Sequence, residues 1–407
     1  MEQQTLNQQA LGALVTRRAQ SQFAADIAAR QVDLHAAIAG KRVLVVGGGG
    51  TIGSATTALL TDLEPSCLHV IDQSENYLAE LVRELRGRPR GLAVSDFHTL
   101  PIDYGSAVMG RFLAEAKPYE LVLNFAALKH VRSEKDVYSL LQMLDTNIVK
   151  HVRFKRWLAE FGHAQRYFAV STDKAANPTS LMGASKRLME DVAFDVASSG
   201  RMVTSARFAN VAFSNGSLLQ GFLARLEKSQ PLAVPRDTRR YFVSQQESGE
   251  ICLIAALLGQ PGRVFFPLLD SRTELQMLDS VAERVLHRAG YRAEIFHDEA
   301  QARAAVSELS RRGVWPVLLT PLDTSGEKPY EEFVGEDESA VPAGFESLGA
   351  LRHAAASDRL TEVIDRLDHA INHVNDRIDK PAIVALIQSL IPTFAHRETG
   401  KNLDDRL

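Results

Sequence analysis

The chain has 407 residues, 45% hydrophobic and 24% charged; this is globular composition, which excludes disorder, collagen and coiled coil as the main state and leaves length for two or three domains. Its 46 basic and 50 acidic residues leave a net charge of −4, so no global field holds nucleic acid or an anionic membrane. Cys67 and Cys252 are the only cysteines, too few for a disulfide scaffold or an all-cysteine metal site, and they fit a reducing cytoplasm.

In chain order, Met1 to Gln9 is polar and lacks the basic-then-apolar order of a signal peptide. Residues 1–40 read as a helical, polar extension, with Leu11, Leu14, Phe23, Ile27 and Leu34 near helical spacing. A packing or oligomerisation arm fits this pattern. A membrane-surface helix is the alternative, against which the thin, alanine-rich apolar face counts. The longest uncharged stretch, Val43 to Thr61, has the length of a bilayer span but carries Gly47, Gly48, Gly49, Gly50 and Gly53, so a strand, a turn and a helix start explain it better. A soluble cytoplasmic protein with no membrane span is expected.

Arg42–Val46 is a short β-branched run that ends in glycines, followed by a helix to about Leu63. Leu68–Ile71, Leu121–Phe125, Tyr167–Val170 and Val203–Phe208 are further apolar runs with helical stretches between them. Short apolar strands alternating with helices predict an α/β fold, a doubly wound parallel sheet covered on both faces. After about residue 212 the alternation loosens around Pro231, Pro235, Pro261 and Pro267, which predicts a smaller substrate-side domain with interleaved boundaries. Residues 324–342 read as an acidic loop. From Ser347 to Ser389 the pattern is helical, with Leu360, Val363, Ile364, Leu367, Ile371 and Val374 on one stripe.

The strongest local signal is Gly47, Gly50 and Gly53, a G-x-x-G-x-x-G between a strand and a helix. Glycines suit a tight turn that a pyrophosphate must approach closely, with the amides of Thr51, Ile52 and Gly53 at the helix start meeting its charge. Asp72 stands 19 residues beyond Gly53, at the end of the second strand, where a carboxylate accepts hydrogen bonds from an adenosine ribose. That carboxylate repels a 2′-phosphate, and Gln73 brings no positive charge, so NAD is favoured over NADP. Asp103 is a candidate for the adenine edge, with a solvated loop aspartate as the alternative.

The second constellation runs from Ser171-Thr172-Asp173-Lys174 through Met182-Gly183 to Lys186-Arg187, and it begins where a strand ends. Ligands in open α/β sheets sit at the carboxyl ends of strands. Met182 and Lys186 are four apart and share one helix face.

With these residues the chain resembles the extended short-chain dehydrogenase/reductases, and within them the CapD-like polysaccharide-biosynthesis group of nucleotide-sugar 4,6-dehydratases and epimerases. The resemblance rests on Gly47–Gly53, on 72–75, on Asn124 to Val131, on Ser171–Arg187, on Arg207 to Val211, on Gly326-Glu327-Lys328 and on His396 to Leu403. It implies a Rossmann-type NAD-binding domain (41–212), a mainly substrate-binding, interleaved domain (213–345) and a C-terminal helical extension (346–407). It also implies the reaction: NAD takes a hydride from sugar C4, a base removes the C5 proton, water leaves from C6, and the hydride returns to C6. By position Thr172 bonds the C4 oxygen, Asp173 is the acid at C6, Lys174 the base at C5, and Lys186 holds the nicotinamide ribose. Lys174 is a base only with a lowered pKa. Ala126 and Ala127 border the cofactor. Lys129, His130, Arg207, Asn210 and Arg240 (with Arg239 as its substitute) line the sugar or diphosphate, and Glu327 the nucleoside ribose.

The sequence departs from this pattern at four places. Met182 stands where most short-chain dehydrogenases have a tyrosine base, and a thioether takes no proton; the C4 proton then has Asp173 as a candidate acceptor. Thr324-Ser325 replaces the usual Arg-Pro, and Ala209 and Asn215 replace the usual glycine and arginine, so the base or sugar can differ from UDP-N-acetylglucosamine. His98, His130, His151 and His163 show no ligand spacing, so no metal site is predicted. The expected partner is a nucleotide-sugar substrate, and pairing through helices predicts a homo-oligomer. An epimerase and a non-catalytic NAD-binding sensor or scaffold are the competing readings.

Overall fold

The computed structural model of the chain describes residues 8–195, 201–323, 326, 328–373, 375, 378–396 and 398–400. Its first six strands are β1 (Arg42–Val46), β2 (Cys67–Ile71), β3 (Asp96–Leu100), β4 (Leu121–Asn124), β5 (Arg166–Val170) and β6 (Met202–Ala206). The short β7 (Asn210–Val211), β8 (Leu232–Pro235), β9 (Arg239–Arg240) and β10 (Phe242–Val243) follow. The remainder are β11 (Arg263–Pro267), β12 (Gln276–Met277), β13 (Arg292–Phe296), β14 (Val314–Thr320), β15 (Ala340–Val341) and β16 (Leu348–Arg352).

The main sheet has the order β15-β16-β11-β6-β5-β4-β1-β2-β3. It is parallel from β3 to β11, and β16 and β15 extend it antiparallel. In β1, Val43 and Val45 enter one core with Leu68 and Val70, while Leu44 and Val46 enter the other with Cys67 and Ile71. Both faces are covered, which is why the central strands read as continuous apolar runs rather than alternating ones. The strand order reverses between β1 and β4, so the carboxyl ends of these two strands open the crevice in which such sheets bind ligands.

A second sheet, β13-β14-β8, is parallel and packs with Leu278–Arg288 and Phe222 around its own apolar cluster. The chain between these strands returns to the main sheet: β11 joins β6, and the helix Gln245–Leu257 lies against the helix Thr51–Thr61. A Cβ on Gly249 would sit 2.9 Å from the Ala55 carbonyl carbon, so only glycine lets these two helices approach so closely.

The N-terminal helices Gln8–Thr16, Ala24–Ala29 and Gln31–Ile38 pack within the chain. Leu11 and Val15 are buried against the smaller sheet's core, and Phe23, Leu34 and Ile38 against the main one. Arg18 fastens the arm by a fork on Glu247, with both bonds at 2.7 Å. Among the described residues no helix is long and apolar enough to cross a membrane.

One expectation fails at the start of the C-terminal extension. Leu348–Arg352 is a strand, not a helix, because pairing with β11 buries Leu348, Ala350 and Leu351, and that burial outweighs the helical preference of alanine and leucine. The helices Leu360–Asn372 and Lys380–Gln388 do form. Their Val363, Leu367, Ile383 and Ile387 cover Leu140, Leu144, Leu188 and Val192 of the helices Val137–Leu144 and Leu181–Phe194. Those apolar helix faces are therefore closed by the chain itself and not open to a second copy.

Candidate active site

The glycine turn leaves β1 with Gly47 at φ +72°, and a Cβ there would lie 2.6 Å from the Ala126 nitrogen. Gly53 is packed from the other side: a Cβ would meet the Gly47 oxygen at 2.4 Å. The structure adds Gly48 and Gly49 to the turn, since side chains there would strike Val70 and Tyr77. Gly50 differs. Its added Cβ would meet only the Gly47 oxygen at 3.5 Å, which leaves room beside the N-terminus of the helix Thr51–Thr61. We expect Gly53→Ala to destabilise the fold by about 1–3 kcal/mol, because backbone must shift to admit the methyl group; chemical denaturation measures it.

Asp72, at the end of β2, accepts from Gly49 N at 3.0 Å and Ser74 N at 2.9 Å. Burial pushes its carboxyl up, and these amides oppose that. Gln73 is exposed. Asp103 accepts from Gly105 N at 3.0 Å and is paired with Lys150, so its carboxylate is a charge-paired group rather than a free loop aspartate.

Ala126 and Ala127 continue β4, with Ala126 N donating to Asn124 Oδ1 at 3.0 Å. Asn147 was not singled out from sequence. It lies in a buried π-helical turn, Asp145–Val149, and clamps Leu128 at both its N–H (2.8 Å) and its carbonyl (2.9 Å) while donating to Ser185 Oγ at 2.9 Å. This fixes the loop from β4 to Lys129 beside the helix that carries Lys186. Lys129 and His130 are both exposed on that loop, and the His130 ring lies over Gly216, within 2.6 Å of where a Cβ would be.

Lys186 is 4% exposed and makes no hydrogen bond to the described residues. Burial, and then the charge of Lys129, bring its ammonium down to about 7. A buried cation with no hydrogen bond to the described residues fits a ligand that offers hydroxyl oxygens, and the room beside Gly50 at the helix N-terminus fits a phosphate. Met182 stands one turn before it, 2% exposed, in the apolar cluster that the C-terminal helices cover. Its backbone N–H donates to Glu134 Oε1 at 2.9 Å. The chain thus uses Met182 as packing.

Thr172, Asp173 and Lys174 follow β5, tied to β6 by Ser171 N→Ala206 O at 2.8 Å and Asp173 N→Phe208 O at 3.1 Å. Thr172 Oγ1 donates to Asp173 Oδ1 at 2.8 Å, and Lys174 Nζ donates to the same oxygen at 3.0 Å. Glu331, which no motif reading selected, reaches Lys174 Nζ with Oε1 at 3.7 Å and Arg240 at 3.9 Å. Both carboxylates are buried, and each leaves one oxygen, Asp173 Oδ2 and Glu331 Oε2, without a hydrogen-bond partner. The condition set for Lys174 is not met at rest. Burial acts to lower its ammonium, but Asp173 and Glu331 outweigh burial and hold it above its ordinary value. Burial raises the Glu331 carboxyl, Lys174 opposing and Asp173 adding to the rise.

One expected substrate contact, Arg207, is corrected, and a second, Arg240, is engaged with backbone carbonyls while still partly exposed. Arg207 is fully buried, with Nε and Nη2 on the two oxygens of Glu190 at 2.8 Å and Nη1 on the Phe333 carbonyl and on Glu338. Its fork is spent inside the protein, where a buried guanidinium needs a carboxylate partner. Arg240 spends its guanidinium on the carbonyls of Arg239 (2.8 Å), Pro329 (3.1 Å) and Lys328 (3.0 Å), which presents Glu331 to Lys174. Arg239 is exposed, with Nε 3.3 Å from Met277 Sδ. Asn210 donates its side-chain amide to the Tyr241 carbonyl at 3.3 Å. Glu327 lies outside the described residues, as do Thr324 and Ser325.

The sheet order, the glycine turn on β1 and the Ser-Thr-Asp-Lys loop on β5 define a Rossmann-fold enzyme of the extended short-chain dehydrogenase/reductase class. Residues 43–352 match the family described as "Polysaccharide biosynthesis protein", and the chain belongs to it. It is similar to the "Probable polysaccharide biosynthesis protein EpsC" of Bacillus subtilis, 28% identical over 74% of this chain, and it spans 46% of that relative, less than half its length. The "UDP-N-acetylglucosamine 4,6-dehydratase (inverting)" of Campylobacter jejuni is 24% identical over 84% of this chain and 90% of its own. The Bordetella bronchiseptica enzyme WbmF, solved in complex with NAD+ and UDP, shares the fold with a TM-score of 0.50 at 17% identity, over 67% of this chain and 87% of that one. Family membership over residues 43–352 is what these comparisons establish.

Proposed function

We propose that the protein is an NAD-dependent nucleotide-sugar 4,6-dehydratase acting on a UDP-N-acetylhexosamine-like substrate. The observation that carries this reading is the Asp173–Lys174–Glu331 cluster, in which two buried carboxylates each lack one hydrogen-bond donor beside the Lys174 ammonium, with Arg240 and Lys328 each 3.9 Å from Glu331. Proton transfers at C4, C5 and C6 need several groups at one end of the sugar, and a hydroxylated ring supplies the missing donors.

Gly47–Gly53, Asp72 and Lys186 hold NAD in this reading, with Asp103, Ala126 and Ala127 bordering it. When bound, NAD supplies the hydride acceptor for C4 and the donor for C6. Thr172 orients the C4 hydroxyl, and Asp173 takes its proton, because Met182 cannot. The resting proton of Lys174 passes to Glu331, so that the neutral amine removes the C5 proton. Asp173 returns the proton it took from C4 to the C6 hydroxyl, which leaves as water. The Lys174–Glu331 pair then returns a proton to C5, and the count balances. Lys129 and His130 border the sugar; Glu327 is assigned to the nucleoside ribose on the family resemblance alone.

Incubation with NAD and a UDP-N-acetylhexosamine in deuterated water tests the reading. A product one water lighter, deuterated at C5, is expected; a product of unchanged mass with its C5 hydrogen retained supports the epimerase instead. Glu331→Gln is expected to cost ~10²-fold or more in this reaction, because Lys174 loses the acceptor for its resting proton. Asp72 further predicts tighter binding of NAD than of NADP by calorimetry, with the gap narrowed in Asp72→Ala; equal binding to the wild type contradicts the placement of Asp72 at the ribose.

A further inference from the structure

Away from the crevice, on the outer edge of the main sheet, four metal-ligating side chains share one face. The parallel register sets Cys67 beside Asp96 and His69 beside His98, each pair two residues along its strand from the other. Residues two apart on a strand point to the same side, so C-x-H on β2 and D-x-H on β3 form a square of donors on a rigid platform. Read along either strand alone, no ligand spacing shows; pairing of the strands creates it.

The donor atoms converge. The Cys67 sulfur, a His69 ring nitrogen and an Asp96 oxygen all lie within 4.8 Å of one another. His69 Nε2 is 2.9 Å and His98 Nε2 3.5 Å from the same oxygen, Asp96 Oδ1. Ligands of a tetrahedral zinc ion, with bonds of about 2.0–2.3 Å, are separated by about 3.3–3.8 Å, so small movements of side chains admit an ion at the centre. The other nitrogen of His69, Nδ1, is held by the Tyr119 hydroxyl at 2.6 Å, the outer contact that orients a ligating imidazole. Arg42 Nη1 holds Asp96 Oδ2 at 3.2 Å and leaves Oδ1 to the imidazoles. His98 is mostly exposed and Asp96 partly so, which gives an ion a path in, while Cys67 closes the inner side.

We propose that Cys67, His69, Asp96 and His98 form a structural site for a divalent transition-metal ion of the zinc class. One thiolate, one carboxylate and two imidazoles are the ligand mixture such an ion takes. The thiol proton goes to solvent on ligation. Thiolate and carboxylate together neutralise the ion, so Arg42 faces a neutral centre rather than a second cation. The ion ties the edge strand β3 to β2, whose ends lead to Asp103 and Asp72.

Cobalt(II) titration of the full chain, followed by the thiolate-to-cobalt charge-transfer band, together with zinc content after desalting, tests the site. One equivalent per chain is expected, with at least tenfold weaker binding in Cys67→Ser and in His98→Ala. His98 is at the surface, so that variant keeps its fold, which circular dichroism verifies. Absence of the band in the wild type, or unchanged affinity in either variant, overturns the proposal.

Discussion

Replacing Lys174 by alanine abolishes exchange of the substrate's C5 hydrogen with solvent and reduces turnover by ~10²–10⁴-fold, the usual cost of losing a general base. Binding of NAD persists, because the glycine turn sits on β1 while Lys174 follows β5. The loss is expected even though the resting amine is protonated. Asp173 lies 3.0 Å and Glu331 3.7 Å from Nζ, and both favour the charged form. Without Lys174, Asp173 loses its ammonium partner, and Glu331 keeps only Arg240 and Lys328, each at 3.9 Å. Met182→Ala is expected to cost much less in rate, since its side chain packs against the C-terminal helices and carries no proton. Rates and C5 exchange by NMR for the two variants decide this; Met182→Ala inactive with Lys174→Ala near wild type reverses the assignment.

Arg207→Met destabilises the protein by about 3–5 kcal/mol, the range for removing one partner of a buried ion pair. Arg207 and Arg187 balance Glu190 and Glu338 in a closed cluster, and Ser171 Oγ adds a bond to Glu190 at 2.5 Å. The variant leaves Glu190 buried with only Ser171 and the more distant Arg187, 4.0 Å away. Burial acts to raise the Glu190 carboxyl, but Arg207 outweighs burial and holds it at about 2. A carboxyl depressed in the folded state stabilises above its unfolded pKa, near 4.3, and that contribution is lost as pH falls toward 2. The wild type therefore loses this contribution between about pH 4 and 2, and Arg207→Met, which has already lost it, shows a flatter acid limb. Denaturant titrations at several pH values measure both effects. A stability change under 1 kcal/mol would be at odds with the buried cluster.

The first half of the sheet is legible because β1, β2, β4 and β5 are buried on both faces and read as short apolar runs. The glycine turn is legible for a local reason: every contact that demands glycine comes from within the turn or from β2, β4 and the helix after β2. What resists reading depends on distant chain. Arg207 looks like a phosphate fork, since a guanidinium suits a phosphate and a buried carboxylate equally; its partner Glu338 is visible only once the segment around Phe333 and Gly335 folds back over β6. Glu331 is invisible as a site residue because Arg240 and the carbonyls of Lys328 and Pro329 carry it to Lys174. Leu348–Arg352 carries helix-forming residues and becomes a strand through β11 alone. Met182 reads as a lost base until the C-terminal helices cover it.

Transfer of the C4 hydrogen tests the dehydratase reading most directly. A UDP-N-acetylhexosamine deuterated at C4 is incubated with the enzyme and NAD, and the product is read by NMR. Deuterium at C6 of a 4-keto-6-deoxy sugar is expected. Deuterium retained at C4 of an isomer with both oxygens in place would contradict the dehydratase reading.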